Sequence, residues 1–207
     1  MKRLFVCFLA IAVLTFPSYT FNTAVAKDLP FASVRALQVP VMNYETLALS
    51  VRNICTASSI GDKLWLTKYH CVEEMPVYLS GEPVEVIRFN PTWDLAVVQT
   101  QHQTAPALRI ATKTPKAGDR ATILGHPLGF YTPVATFGWV SAPLFVEPGM
   151  RFPYTLVQIV GAPGNSGSAI LNSDGEIISV LEAGWGRSFE PMVLGSSLTV
   201  IRAFLAY

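Results

Sequence analysis

Short apolar runs separated by turn signals constrain the fold of this chain more than any other feature. The runs recur between residues 46 and 197, and Gly, Pro, Asn and Asp cluster between them. This arrangement is typical of antiparallel β-strands joined by tight turns. A helical pattern is evident only in 198–207, where apolar residues share one face. The chain is therefore predicted to be all-β, a sandwich or a barrel with a short C-terminal helix.

A segment rich in Pro and Thr, 101–118, joins two series of predicted strands. The series define a first half at 45–105 and a second half at 106–207, preceded by an N-terminal segment at 27–44. The predicted strands are 46–60, 63–67, 77–79, 84–89, 95–100, 120–124, 134–140, 155–160, 168–171, 176–181 and 192–197.

Length and composition limit the class of protein. A chain of 207 residues has room for one domain or two small halves. With 51% hydrophobic and 14% charged residues it can bury a core, which excludes an intrinsically disordered protein. The formal net charge is +1, and Lys and Arg form no cluster along the sequence. Nucleic acid is therefore not expected as a partner.

The first 26 residues resemble a secretory signal peptide. Two basic residues precede an uncharged apolar run at 4–16, and Ala24 and Ala26 place small residues where a signal peptidase cuts. An uncleaved membrane anchor is the alternative, but the run is shorter than the roughly 20 residues that span a bilayer. Cleavage would start the mature chain at Lys27, secreted or periplasmic and without membrane contact.

Residues of the three types needed for serine-based hydrolysis occur in the order His, Asp, Ser. His70 ends a strand-like run, Asp94 directly precedes another, and Ser166 lies in a turn between Gly164 and Gly167. A serine nucleophile needs a base, a group that orients the base, and backbone N–H groups that bind the oxyanion. Each segment alone is compatible with an ordinary turn, whereas the combination indicates a catalytic triad.

These segments resemble the chymotrypsin-like (trypsin-like) serine endopeptidases. The segments that match the family signatures around histidine, aspartate and serine are 67–72, 94–98 and 164–168. The resemblance implies two six-stranded antiparallel β-barrels with the active site in the cleft between them.

One branch of this family, the high-temperature-requirement proteases, is similar in further segments, 118–119, 124–129 and 138–141. The likeness covers about residues 45 to 205, almost all of the mature chain. A peptide-binding domain typically follows the protease in that branch. It is not expected here, because the sequence ends at Tyr207.

The resemblance implies a role for each motif residue. His70 would act as general base and then acid, Asp94 would hold its tautomer and orientation, and Ser166 would attack the scissile carbonyl. The backbone N–H groups of Gly164 and Ser166 would form the oxyanion hole. Polypeptides are the implied substrates, and no cofactor or metal is expected.

Cys55 and Cys71 are the two cysteines outside the leader. In an exported protein they have one possible pairing. From the residues alone, two unrelated buried thiols are an equally good interpretation. The resemblance implies a disulfide, because the pair matches a family bridge that closes the histidine loop.

The order of segments along the chain predicts which residues line the pocket for the substrate side chain. They are Val160, Gly161, Ala162, Glu182, Ala183 and Gly184. Their small, mostly apolar character favours an uncharged side chain. Glu182 would favour a basic one if it pointed inward, whereas the rim position that we expect would leave it solvated.

Two other classes of function fit parts of the pattern. A catalytically inactive protease fold could serve as a binding module, although all three catalytic residue types are present. An α/β-hydrolase esterase would need glycine two residues after the nucleophile, where this chain has Ser168, and no βαβ pattern occurs. His102 and His126 are alternative bases, interpreted as a solvated linker residue and a turn residue.

Overall fold

The computed structural model describes residues 29–73, 76–185 and 191–206, except for the side chain of Trp185. The leader predicted at 1–26 lies outside the described residues. Among the residues described, no helix is long and apolar enough to cross a membrane.

Strands account for most of the regular structure. In chain order they are β1 (Val34–Asn43), β2 (Ala48–Gly61), β3 (Leu64–Thr67), β4 (Tyr78–Leu79), β5 (Glu82–Pro83), β6 (Glu85–Asn90), β7 (Leu95–Gln99), β8 (Arg120–Gly125), β9 (Val134–Phe145), β10 (Tyr154–Gln158), β11 (Ala169–Leu171), β12 (Ile177–Trp185) and β13 (Met192–Ser197). Helix α1 (Leu198–Ala206) follows β13, and short 3-10 helices occupy Phe31–Ser33, Tyr69–Cys71 and Pro127–Gly129.

The strands form two antiparallel units, one in each half of the chain. In the first half, seven strands pair in the order β5-β4-β1-β2-β3-β7-β6. In the second half, six strands close into a barrel in the order β10-β13-β12-β11-β8-β9. The predicted all-β fold, with a six-stranded second barrel and a C-terminal helix, is confirmed.

The first unit differs from the expected six-stranded barrel in strand number and closure, because its described strands form an open sheet. Strands β4 and β5, at one side, have two residues each. Strand β5 also contains Pro83, which has no backbone N–H to donate to a further strand. A short edge strand with a proline offers few hydrogen bonds for closing the ring.

Strand β1 lies within 27–44, which the sequence pattern assigned to an N-terminal segment. It pairs with β2 along its whole length. A register shift between Leu37 and Gln38 interrupts the alternation of inward and outward side chains. The two-residue period that marks a strand is consequently weak there. The first sheet thus begins at Val34, upstream of the predicted boundary.

An apolar cluster joins the two halves. It contains Leu66 and Leu95 from the first sheet and Leu124 and Val180 from the barrel, all fully buried. Complete burial of such a side chain contributes about 1.5–3 kcal/mol. Phe204 of α1 belongs to the same cluster, so the helix packs against this junction. The ends of β3, β7 and β11 are thereby held where the predicted site residues lie.

The predicted disulfide between Cys55 and Cys71 is present. Its Cα atoms are 6.1 Å apart, and both residues are buried. The bond ties β2 to the 3-10 helix Tyr69–Cys71, which carries His70. It therefore restrains the segment that presents the predicted base.

Reducing this disulfide is expected to lower the free energy of unfolding by about 3 kcal/mol, because the bond restricts the unfolded chain. Urea unfolding of oxidised and reduced protein measures the difference. A Cys55→Ala/Cys71→Ala variant is the matched control: it should be less stable than the oxidised protein and insensitive to reductant. Overlapping curves for the oxidised and reduced forms would contradict the prediction.

Candidate active site

The carboxylate of Asp94 holds His70 through two contacts. Its Oδ1 accepts a hydrogen bond from the His70 backbone N–H at 2.9 Å, and its Oδ2 lies 2.7 Å from His70 Nδ1. Asp94 has a φ of 47°, in the left-handed region that Asp tolerates better than most residues. Both carboxylate oxygens of Asp94 thus contact the same histidine.

The charge of Asp94 is stabilised by its neighbours. Burial acts to raise the pKa of the Asp94 carboxyl, but the hydrogen bonds from His70 and the nearby Lys68 ammonium outweigh burial and hold that pKa below its usual range. Asp94 is therefore an anion at neutral pH. The His70 side chain is 41% exposed, so its ring is reachable from solvent.

Glycines on both sides of Ser166 allow the chain to turn against β2. Gly164 has a φ of 95°, and a Cβ there would lie 2.4 Å from the His126 carbonyl oxygen. Gly167 has a φ of 83°, and a Cβ would lie 2.2 Å from the Thr56 carbonyl oxygen. Contacts this close require glycine at both positions.

The Ser166 hydroxyl donates a hydrogen bond to the backbone carbonyl of Glu182 at 3.1 Å. The N–H groups of Asn165, Gly167 and Ser168 donate to carbonyl oxygens within the described chain. Those of Gly164 and Ser166 donate to no acceptor in that part of the molecule. Two N–H groups of the serine turn thus have no acceptor among the described residues.

A cavity of about 790 Å³ adjoins the His70–Asp94 pair. Its lining includes Tyr154, Glu182 and Ala183 as well as both residues of the pair. Two of the predicted pocket residues are therefore brought together with the base and its partner. The cavity lining does not include the other predicted residues, namely Val160, Gly161, Ala162, Gly184 and the nucleophile candidate Ser166.

Glu182 lines the cavity, and both of its carboxylate oxygens are occupied. Its Oε2 accepts a hydrogen bond from Lys68 Nζ at 2.8 Å, and its Oε1 accepts one from the Tyr154 hydroxyl at 3.2 Å. Its side chain is 21% exposed. Both carboxylate oxygens thus have partners inside the protein, so Glu182 is not the freely solvated rim residue that we expected.

Lys68 is the site residue that the sequence did not reveal. Its side chain is fully buried, and Nζ donates to Ser196 Oγ at 2.7 Å as well as to Glu182. Asp94 Oδ2 lies 4.0 Å away. A buried lysine requires compensating anions, so a lysine in the apolar run just before His70 was the available signal.

Ionisation in this cluster responds to burial. Burial lowers the pKa of the Lys68 ammonium, although the carboxylates of Glu182 and Asp94 oppose the change. Burial and the charge of Glu182 raise the pKa of the Tyr154 phenol, so Tyr154 stays neutral and can donate its hydrogen bond. The cluster thus combines one cation, two carboxylates and a neutral phenol.

The alternative bases considered from the sequence have other surroundings. His126 is buried, its Nδ1 lies 3.0 Å from the Phe130 carbonyl oxygen, and burial lowers its pKa. His102 is exposed, and its backbone N–H donates to Glu82. Neither ring contacts a carboxylate as His70 does.

Potential metal ligands in the described residues come together at Cys55, His70 and Cys71, whose donor atoms lie within 4.8 Å of one another. Both sulfurs form the disulfide. A cysteine binds zinc as its thiolate, so these two cysteines cannot act as metal ligands while the bond is intact.

Residues 55–180, more than half of the chain, match the family model of the trypsin-like peptidase domain. The chain therefore belongs to the trypsin-like peptidase family.

Within that family the chain is similar to DegP-like and HtrA proteases. A probable periplasmic serine endoprotease DegP-like from Chlamydia pneumoniae is 37% identical over 103 residues, covering 47% of this chain and 20% of that protein. Serine protease Do-like HtrA from Lactococcus lactis subsp. lactis (strain IL1403) is 30% identical over 139 residues, covering 59% and 34%. The matched part spans only about a fifth to a third of the length of these relatives.

Solved structures share the fold. The HtrA-type protease AlgW with decapeptide superposes with a TM-score of 0.75 at 19% identity, covering 89% of this chain and 67% of that one. The Rv3671c protease from M. tuberculosis, active form, gives a TM-score of 0.69 at 18% identity, covering 99% and 93%. The expected Deg-type relationship and the trypsin-like architecture are both confirmed.

Proposed function

We propose that this protein is a serine endopeptidase in which His70, Asp94 and Ser166 form the catalytic triad. The observation that carries the proposal is that Asp94 contacts His70 through both carboxylate oxygens, Oδ2 at ring Nδ1 and Oδ1 at the backbone N–H. When Asp94 Oδ2 accepts a hydrogen bond from Nδ1–H, the neutral ring carries its one proton on Nδ1 and Nε2 is unprotonated. Nε2 is then able to take a proton from a serine hydroxyl.

Ser166 supplies the nucleophile in this mechanism. Rotation about its Cα–Cβ bond moves the hydroxyl from the Glu182 carbonyl toward His70, which removes the proton as the oxygen attacks the scissile carbonyl. The unused N–H groups of Gly164 and Ser166 bind the oxyanion that forms. His70 then protonates the leaving amine, and the acyl group stays on Ser166. Water, deprotonated by His70, attacks this acyl group, and His70 returns the proton to the Ser166 oxygen as the acid product leaves. No cofactor takes part in these steps.

The substrate is a polypeptide that binds along β12. β11 pairs with β12 as far as Val180, and the backbone of residues 167–168 bonds to Leu181, so one edge of β12 beyond Leu181 has no strand partner among the described residues. A peptide in extended conformation can add to such an edge. A Cβ added at Gly184 would meet no described atom within 4 Å, so the face of the sheet is open at that residue. The structural relative AlgW was solved with a decapeptide, which is consistent with a polypeptide substrate.

The pocket for the substrate side chain accepts an uncharged residue. Val160, Gly161 and Ala162 are small, and Val160 and Gly161 are exposed, so they would offer an apolar wall outside the cavity that adjoins His70. Glu182 has its charge compensated by Lys68 and is therefore a weak attractor for a basic side chain.

The protein acts outside the cytoplasm, in the periplasm or as a secreted enzyme. The leader predicted at 1–26 supports export, and the disulfide is of a kind that persists in oxidising compartments. Relatives named as periplasmic endoproteases agree with this location.

Labelling with a fluorophosphonate probe tests the proposed nucleophile directly, because such probes react with activated serines. The folded protein is expected to be labelled at Ser166, as mapped by mass spectrometry, and Ser166→Ala should not be labelled. Ser173→Ala, which changes an exposed serine of a nearby turn, is the matched control and should be labelled like the wild type. Folded wild-type protein that binds peptides but resists the probe would instead be a binding module.

A further inference from the structure

The ammonium of Lys68 lies close enough to Asp94 to compete with His70 for the same oxygen. Asp94 Oδ2 is 2.7 Å from His70 Nδ1 and 4.0 Å from Lys68 Nζ. An ammonium carries three N–H donors. Two of them are used, by Glu182 Oε2 at 2.8 Å and Ser196 Oγ at 2.7 Å. The third donor is therefore available to Asp94 if the lysine shifts.

The partners of Lys68 hold it from the opposite side of the junction. Lys68 directly follows β3 of the first sheet, whereas Glu182 lies in β12 and Ser196 in β13 of the barrel. The Tyr154 hydroxyl fixes the second carboxylate oxygen of Glu182. Among the described residues, the other charged groups lining the adjoining cavity are Glu73 and Arg151.

We propose that Glu182 is a positioning residue that, with Ser196, restrains the Lys68 ammonium. With the ammonium held there, His70 and not Lys68 is the hydrogen-bond partner of Asp94 Oδ2. This inference rests on the proposed function. It adds that the Lys68–Glu182 pair preserves the geometry of the triad. Lys68 supplies positive charge near Asp94 without replacing the histidine as its hydrogen-bond partner. The backbone carbonyl of Glu182 also accepts a hydrogen bond from the Ser166 hydroxyl. Glu182 therefore contacts both Lys68 and the proposed nucleophile.

The isosteric Glu182→Gln variant removes the charge that restrains Lys68 and retains an amide oxygen. Among the described carboxylates, Asp94 is then the one within reach of the buried ammonium, and the lysine moves onto Oδ2. We expect kcat/KM to fall by about 10-fold or more for basic and uncharged substrate residues alike.

The Lys68→Met/Glu182→Gln double variant is the decisive comparison. It removes the competing cation together with its restraint, and replacing a buried ion pair by uncharged groups is often tolerated. The double variant should recover at least about 10-fold in kcat/KM over Glu182→Gln. A double variant no better than Glu182→Gln would overturn the proposal, as would a loss in Glu182→Gln confined to basic substrates.

A spectroscopic readout separates this proposal from the proposed function. The downfield proton resonance of the His70–Asp94 hydrogen bond should shift in Glu182→Gln and return in the double variant, whether or not peptides are cleaved. An unchanged resonance in folded Glu182→Gln would overturn the positioning role, while an inactive wild type with the expected resonances would overturn only the endopeptidase assignment. If Glu182→Gln does not fold, Ser196→Ala removes the other restraint, and the same shift in the same direction is required.

Discussion

Replacing Ser166 with alanine is expected to reduce kcat for peptide hydrolysis on the order of 10⁶-fold, and His70→Ala should do nearly the same. The nucleophile and its base act as one unit, because attack by the hydroxyl requires removal of its proton. The Ser166→Ala/His70→Ala double variant should therefore be little worse than either single variant. Steady-state kinetics on a peptide substrate measures all three rates.

Matched controls separate this effect from loss of folding or contamination. His102→Ala changes an exposed histidine of the linker and Ser173→Ala an exposed serine, so both should retain wild-type rates. Circular dichroism should show the same fold for every variant. Substantial activity in folded Ser166→Ala, with contaminating proteases excluded, would refute the triad and favour a binding module.

Replacing Asp94 with asparagine should lower kcat on the order of 10⁴-fold while the fold is retained. The amide oxygen of Asn can still accept the His70 backbone N–H that Oδ1 accepts in the wild type. The amide NH₂ would then face Nδ1, where it favours the tautomer protonated at Nε2. In that tautomer the ring cannot remove the proton of Ser166.

The pattern across variants is as informative as the size of the Asp94→Asn effect. Phosphonate labelling of Ser166 should slow in parallel with turnover, since both reactions need the same activated hydroxyl. Thermal unfolding gives the stability control. A loss in kcat of less than about 10-fold in folded Asp94→Asn would show that Asp94 does not set the histidine tautomer.

The chemistry of the candidate site could be anticipated because its signals are local. Glycines at 164 and 167 indicate a turn through positive φ, and the structure has both in that region. Asp94 directly before an apolar run indicates a carboxylate at the end of a buried strand, and β7 begins at Leu95. Such features depend on neighbours in sequence, so they can be detected without knowledge of the fold.

Other features escaped prediction because they depend on partners distant in sequence. Lys68 and Glu182 are separated by 114 positions, and nothing near either residue indicates the other. Leu37 and Gln38 interrupt the alternation of β1, whose place in the sheet is set by its long pairing with β2. The open edge of the first sheet depends on how the short strands β4 and β5 pair, and no local sequence pattern predicts that pairing.

The sequence by itself determined the strand-rich character of this protein, its turns and the chain order of the histidine, aspartate and serine. Tertiary structure alone decided that Asp94 contacts His70 through both carboxylate oxygens and that Glu182 is paired with Lys68. It also decided that, among the described strands, the barrel closes while the first sheet does not. The physical reason is the distance in sequence between the residues that determine each feature. Backbone turns and side-chain alternation follow from adjacent residues. The charge balance of a buried cluster follows from which distant segments the packed core brings together.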